Sequence, residues 1–309
     1  MLTGCGSTDP TNGEPESPTV TPGDPPTYLR TPATGTDINK PAKNTLYFCP
    51  RAPLKAYPPL TRPSTPWVNG EAVDISKIPI VEGSETRTSE FAMTMTDAGR
   101  HLKGNGIPNH PIGTFPVQEG TAAYEYYAAI PVMTYGTSAD IPVDSYDLDI
   151  TLPKNPTPNE TPACIKWIPT GVVTQTGAMW HLDFAFDAQK HLLDPVAALP
   201  MDLCWGHPYE KQYHYHGYSW KCFPNQGDAK DHSPLFGYAI DGFGVFGPRG
   251  EGGKLVSNDD LDECHGHTHM IAWDGEMKEM YHYHVNNEYP YSIGCFRGTP
   301  IELPEQLQH

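Results

Sequence analysis

Tyr213-His214-Tyr215-His216 and Tyr281-His282-Tyr283-His284 repeat one tetrapeptide at two widely separated places in a chain of 309 residues. In an extended strand successive side chains point to opposite faces, so each tetrapeptide places two tyrosines on one face and two histidines on the other. If the tyrosines pack into a core, the histidines are directed to a pocket or to solvent. Histidines two apart on a strand stand roughly 6.6 Å apart at the backbone. From there two imidazoles can lean onto one metal ion at about 2 Å each.

Working outward, aromatic and β-branched stretches alternate with breaks throughout the chain from about residue 45. Ser89–Met95, Ala122–Met133, Ser145–Leu152, Met179–Phe186, Gln212–Trp220 and Met280–Val285 read as strands. The best helix candidate is Ala188–Leu199, interrupted by Pro195. With 34 prolines and 29 glycines the elements must be short and joined by turns. The expected fold is all-β or β-dominated: a single disulfide-stabilised, antiparallel, β-sandwich-like domain with short helical turns. Asp241-Gly242, between the apolar runs of Phe236–Phe246, suggests a hairpin with a two-residue type I′ turn. Gly242-x-Gly244-x-x-Gly247 matches the dinucleotide-binding fingerprint by letter only. Pro248-Arg249-Gly250 follows, so no helix can start there to face a pyrophosphate.

Charge and composition narrow the function. Lys plus Arg number 20 against 37 Asp plus Glu, a formal net charge of −17. That field repels phosphate backbones and concentrates cations, so nucleic acid is not an expected partner. Charged residues at 18% are too few for a coiled coil. No apolar run is long enough to span a bilayer. Leu2-Thr3-Gly4-Cys5 has the form of a bacterial lipobox, which makes Cys5 a candidate lipidation site and the only expected membrane contact. The expected organisation is a lipobox remnant with a disordered Pro/Thr/Gly-rich tether over residues 1–44, then a β-rich domain over 45–309. Cys49, Cys164, Cys204, Cys222, Cys264 and Cys295 form an even, widely spaced set without a Cys-x-x-Cys pair. Such a set suits disulfides in an oxidising compartment, with thiolate metal ligation as the alternative and the pairing open. The expected location is extracytoplasmic, lipid-anchored to the bacterial envelope or secreted.

A third histidine group, Cys264-His265-Gly266-His267-Thr268-His269, lies between the two tetrapeptides. On a straight strand its outer histidines are roughly 13 Å apart. Either Gly266 bends the chain or only two of the three join one centre. The candidate metal ligands are therefore His214, His216, His265, His267, His269, His282 and His284, several of which are expected to converge in one place to hold a cation, with Asp241 as a carboxylate candidate and the number of ions open. Asp262 and Glu263 are further candidates for direct or outer contact. Asp241 is also explained by the turn alone. With cysteines in disulfides, imidazole and carboxylate donors suit copper, zinc, nickel or iron. Copper is favoured by its affinity and an oxidising compartment, zinc by its commonness.

Tyr213–Gly217, Ser233–Pro248, Leu261–His267, Tyr281–His284 and Tyr289–Gly298, with Asn105–Pro116 upstream as the start, together resemble the YHYH-domain family over roughly Thr86–Gly298. The resemblance implies secreted or lipid-anchored bacterial proteins whose activity is unsettled. It also makes His265, where the family often carries Asn, the weakest ligand of its group and His267 the strongest. Both tetrapeptides are followed by Cys-Phe, at Cys222-Phe223 and Cys295-Phe296. This suggests a pseudo-duplicated core whose two motif strands are neighbours, each anchored by a disulfide. The expected function is capture of copper or zinc outside the cytoplasm. The alternatives are a metal-dependent enzyme, a zinc hydrolase or a copper oxidoreductase, and a metal-free carbohydrate-binding module using Trp180, Trp205, Trp220 and Trp273. No substrate or protein partner can be read from the residues.

Overall fold

The computed structural model describes residues 28–31, 37–49, 60–61, 65–129, 142–186 and 192–308. Among these residues strands are numbered β1 to β17 in chain order. Eight of them form the central sheet: β8 (Pro169–Val173), β9 (Ala178–His181), β12 (Gly206–Tyr209), β13 (Gln212–Tyr215), β14 (Leu235–Ala239), β15 (Gly244–Phe246), β16 (Gly266–Trp273) and β17 (Glu276–His284). Their spatial order is β12-β13-β9-β8-β14-β15-β17-β16. Three three-stranded sheets flank it. They consist of β1 (Tyr28–Arg30), β4 (Ala72–Asp74) and β3 (Val68–Asn69); β10 (Ala185–Phe186), β11 (Leu192–Leu193) and β2 (Leu60–Thr61); and β5 (Phe91–Met95), β6 (Arg100–Gly104) and β7 (Leu148–Leu152). The fold is β-dominated, as expected, but the central sheet is mixed. β13 runs parallel to β9 and β17 parallel to β15, whereas the other pairings in this sheet are antiparallel.

The strand order has internal symmetry. From the middle outward, β8-β9-β13-β12 mirrors β14-β15-β17-β16, with the same pattern of antiparallel, parallel and antiparallel neighbours. The central pair β8–β14 is antiparallel, with Val172 opposite Tyr238. Even the irregularities match: β8 shifts register between Pro169 and Gly171, and β14 between Leu235 and Gly237. The sheet is therefore two copies of one four-stranded unit related by a pseudo-two-fold axis between β8 and β14.

The duplication was legible, but the adjacency was not. β13 and β17 lie five strand spacings apart, roughly 24 Å, with β9, β8, β14 and β15 between them. The expectation that the two motif strands are neighbours fails, and with it the convergence of their histidines in one place.

The tyrosine faces are core. Tyr213, Tyr215 and Tyr283 are fully buried and Tyr281 nearly so. Disulfides join Cys49 to Cys164, Cys204 to Cys222 and Cys264 to Cys295. The last two tie equivalent points of the two halves. Trp180 and Trp273 are buried, and Trp205 and Trp220 pack against the core, so the four tryptophans are packing residues rather than a stacking surface.

Three local expectations change. Ala122–Ala129 is helix α1, not a strand. Four alanines favour a helix, the Thr121 hydroxyl accepts the Tyr124 N–H at its start, and Ala123 and Tyr127 share the buried face. Ile130–Met133 lie outside the described residues. In the expected helix Ala188–Leu199, residues 187–191 also lie outside them, and Leu192–Leu193 is strand β11. Pro195 starts rather than breaks a helix, α2 (Pro195–Ala198), whose first turn is capped by Asp194 accepting from Val196 and Ala197. Finally, Asp241-Gly242 belongs to a four-residue connection, Ile240–Phe243, between β14 and β15. Asp241 has no positive φ, so this is not a type I′ turn; only Gly242, at φ 92°, is left-handed.

Cys5 and most of the expected tether lie outside the described residues. Among the described residues of that stretch, 28–31 and 37–44, β1 pairs with β4, and Leu29 and Ile38 are buried. Among the described residues no helix is long and apolar enough to cross a membrane.

Candidate metal centres

Each half of the sheet presents its histidines through the same local sequence, Asp-x-Cys-x-Gly-His: Asp202 to His207 in the first half, Asp262 to His267 in the second. The aspartate organises the turn. Asp202 Oδ1 accepts the Cys204 N–H at 2.8 Å and the Gly206 N–H at 3.1 Å; Asp262 Oδ1 accepts those of Cys264 at 2.9 Å and Gly266 at 3.1 Å. The first tyrosine of each motif donates its hydroxyl to the same carboxylate, Tyr213 to Asp202 at 2.9 Å and Tyr281 to Asp262 at 3.0 Å. Trp205 and His265 occupy the equivalent left-handed positions, at φ 56° and 76°. The glycine is obligatory, since a Cβ at Gly206 or Gly266 would collide with the Tyr213 or Tyr281 hydroxyl. This turn sets His207 directly opposite His214 across β12–β13, and His267 opposite His282 across β16–β17.

In the second half, His232, His267, His282 and His284 come together, their ligand nitrogens all within 4.8 Å of one another. The Nε2 atoms of His232 and His282 are 3.2 Å apart, those of His282 and His284 3.1 Å, and those of His267 and His284 3.0 Å. Three of the rings have their other nitrogen on a backbone carbonyl: His232 Nδ1 on Ser233 at 2.8 Å, His282 Nδ1 on Met280 at 3.1 Å and His284 Nδ1 on Gly247 at 2.6 Å. A carbonyl only accepts, so these Nδ1 atoms carry the protons and the inward Nε2 atoms are lone pairs. Lone pairs facing one another at this distance cannot hydrogen-bond; a cation between them removes the conflict. Four nitrogens at 2.0–2.1 Å from a tetrahedral ion stand about 3.3 Å apart, close to the observed spacings. Holding the ring through Nδ1–H is also the usual outer support of a metal-binding histidine. Protonation is disfavoured: burial, reinforced by the charge of His267, pushes His282 down to about 3, and burial pushes His284 well below its ordinary value. His267, nearer the surface, is lowered to about 4, again chiefly by burial.

In the first half, His207, His214 and His216 form a three-histidine group, all buried. His214 and His216 approach at 3.0 Å between Nε2 atoms, and His216 and His207 at 3.1 Å. His214 Nδ1 donates to the Gln212 carbonyl at 3.1 Å. Burial lowers the pKa of His216 to about 3 and those of His207 and His214 far below the usual imidazole value. The His181 ring stacks on His214 with centroids 3.6 Å apart.

Several sequence candidates fall outside both groups. His265 is fully engaged, Nδ1 donating to the His284 carbonyl at 2.7 Å and Nε2 meeting Asn258 Oδ1 at 2.8 Å; it stabilises the turn. His269 pairs with Glu251 at 2.9 Å beside the four-histidine group. Only His267 of that triplet joins a centre. Asp241 is buried and accepts from the Tyr283 hydroxyl at 2.6 Å and the Gly298 N–H at 2.9 Å, so it anchors the tyrosine face. Asp262 is committed to its turn, and Glu263 faces Arg297 at 3.5 Å. The sequence reading missed His207 and His232. His207 was recoverable from the repeated Asp-x-Cys-x-Gly-His; His232, in a loop before β14, carries no periodic signal. His110 lies near Cys204 and Cys222, but that pair is a disulfide and offers no thiolate.

A family model described as YHYH protein matches residues 149–255. The chain carries a YHYH domain. The matched stretch includes His207, Tyr213–His216 and His232, and stops before the second tetrapeptide, which the pseudo-two-fold axis supplies as the counterpart of the first. No curated protein and no solved structure matches the chain. Three disulfides and a YHYH domain fit an extracytoplasmic location.

Proposed function

We propose that this protein binds transition-metal ions, copper or zinc, outside the cytoplasm, and that His232, His267, His282 and His284 form its principal centre. The observation that carries this reading is the set of buried Nε2 lone pairs held face to face by Nδ1–H bonds to carbonyls. Such an arrangement is costly without a cation and suits a borderline-soft ion with imidazole donors. The acidic surface, with net charge −17, raises the local concentration of cations. Four protein ligands from a rigid sheet and its adjoining loop complete a tetrahedral shell, which suits holding a metal rather than activating water at this centre.

The test is elemental analysis of protein purified without added metal and again after loading with Cu2+ or Zn2+ and desalting. The His282→Ala, His284→Ala double variant is expected to lose the tightly held ion of this centre. Unchanged metal content in a folded double variant overturns the reading.

A further inference from the structure

The two halves of the sheet superimpose in topology but not in ligand set, and the difference is chemically specific. By register, Leu235 opposite Phe246 corresponds to Pro169 opposite His181. Three residues upstream of each, His232 corresponds to Lys166. His232 supplies the fourth imidazole of its centre, whereas Lys166 sits at the surface with its Nζ 2.8 Å from Glu302. Among the described residues no further His, Cys, Asp or Glu joins His207, His214 and His216.

The surroundings change in step. Where the second half has Phe246 beside His282, with ring centroids 5.1 Å apart, the first has His181 stacked on His214. Where the second has Pro248, the first has Asp183. Asp183 is fully buried; its Oδ2 accepts from the Ser292 hydroxyl at 3.0 Å, and its Oδ1 lies 3.7 Å from His216 Nδ1, a nitrogen that the Leu182 carbonyl also faces. A carboxylate behind the Nδ1 of a histidine is the support seen for imidazoles that bind metal through Nε2.

We propose that His207, His214 and His216 form a second, separate transition-metal site of different character, in which Asp183 is a positioning residue behind His216 and the remaining coordination position takes water or a small anion. This rests on the metal-binding reading above but concerns the other half of the sheet. Three imidazoles with an exchangeable fourth ligand are the arrangement that lets a metal act as a Lewis acid, in contrast to the four-imidazole centre.

The test is reconstitution with Co2+ alone, followed by azide titration read from the visible absorption spectrum. Wild type is expected to take two equivalents. The His282→Ala, His284→Ala variant keeps only the first-half site, and its spectrum is expected to change saturably with azide. The His214→Ala, His216→Ala variant keeps only the four-histidine site, and its spectrum is expected to ignore azide. Asp183→Asn, a milder change that guards against misfolding of the double variants, is expected to weaken first-half Co2+ binding about 10- to 100-fold and leave the other site unchanged. One equivalent in wild type, lost with His282 and His284 and untouched by His214→Ala, His216→Ala, overturns this proposal alone. An azide-insensitive first-half site overturns the exchangeable position. No Co2+ in any form overturns the reading of the principal centre as well.

Discussion

Replacing His282 by Gln should change how the metal-stripped protein responds to acid, by an amount that follows from its burial. His282 is fully buried, and desolvation, with the nearby His267, holds its folded pKa down to about 3. An unfolded histidine titrates near 6.5. The unfolded chain therefore binds the extra proton below that pH, and His282 contributes stability above about 6.5 that is lost progressively as the pH falls toward 3. Between pH 7 and pH 5 the loss is about 2 kcal/mol. The absolute stability curve mixes this with opposite contributions. Burial raises Asp183 and Asp194 to about 7, so these groups favour the folded state as acid is added. The comparison between wild type and His282→Gln isolates the histidine, because both proteins carry those carboxylates. Urea unfolding followed by tryptophan fluorescence, in chelator at both pH values, should show wild type losing about 2 kcal/mol more than the variant. Parallel losses, within about 0.5 kcal/mol, would refute the reasoning. They would mean the four imidazoles share a proton without cost, and the lone-pair argument for a metal would lose its basis.

Three further outcomes follow from the geometry. Gly266→Ala drives a Cβ into the Tyr281 hydroxyl and the His282 carbonyl. It should cost about 1–3 kcal/mol and reduce metal held by the second half, read by thermal melting and elemental analysis. Asp274→Ala removes the hydrogen bonds at 2.7 and 2.6 Å from the buried Arg100 guanidinium, which keeps longer ones to the Met95 sulfur at 3.3 Å and the Lys154 carbonyl at 3.4 Å and its stacking on Trp273 and Tyr238. A loss of about 2–3 kcal/mol is expected with metal content unchanged, and an equal loss of metal would contradict the separation of the two features. Opening the Cys264–Cys295 bridge by a double Ala substitution releases a loop of sequence separation 31. It should lower stability by about 3–4 kcal/mol in chemical denaturation.

The alternation Tyr-His-Tyr-His was enough to place His214 with His216 and His282 with His284 on one face each, because strand periodicity is local. What lay beyond local reading was which strands meet. A pseudo-two-fold axis between β8 and β14 sends the two copies to opposite sides of the sheet, so identical motifs build two separate histidine groups instead of one. His232 was invisible because it reaches its centre from a loop far along the chain, by tertiary contact alone. His265 looked like part of a ligand triplet, yet its left-handed backbone at φ 76° marks it as a turn residue that breaks the strand pattern. In α1 the tyrosines at 124, 126 and 127 suggested a strand, while the alanines and the Thr121 cap decided for a helix. Asp241 read as a carboxylate ligand or a turn former; its role as the acceptor for Tyr283 depends on a contact between distant residues that no spacing rule exposes.

The central claim is that converging imidazoles hold a cation in this sheet. Crystals grown from metal-loaded protein, with diffraction recorded on both sides of the absorption edge of the bound metal, would locate that cation directly. The account predicts an anomalous peak enclosed by the Nε2 atoms of His232, His267, His282 and His284, about 2 Å from each. Metal-replete crystals with no peak there, or with the ion held by surface carboxylates instead, would contradict it.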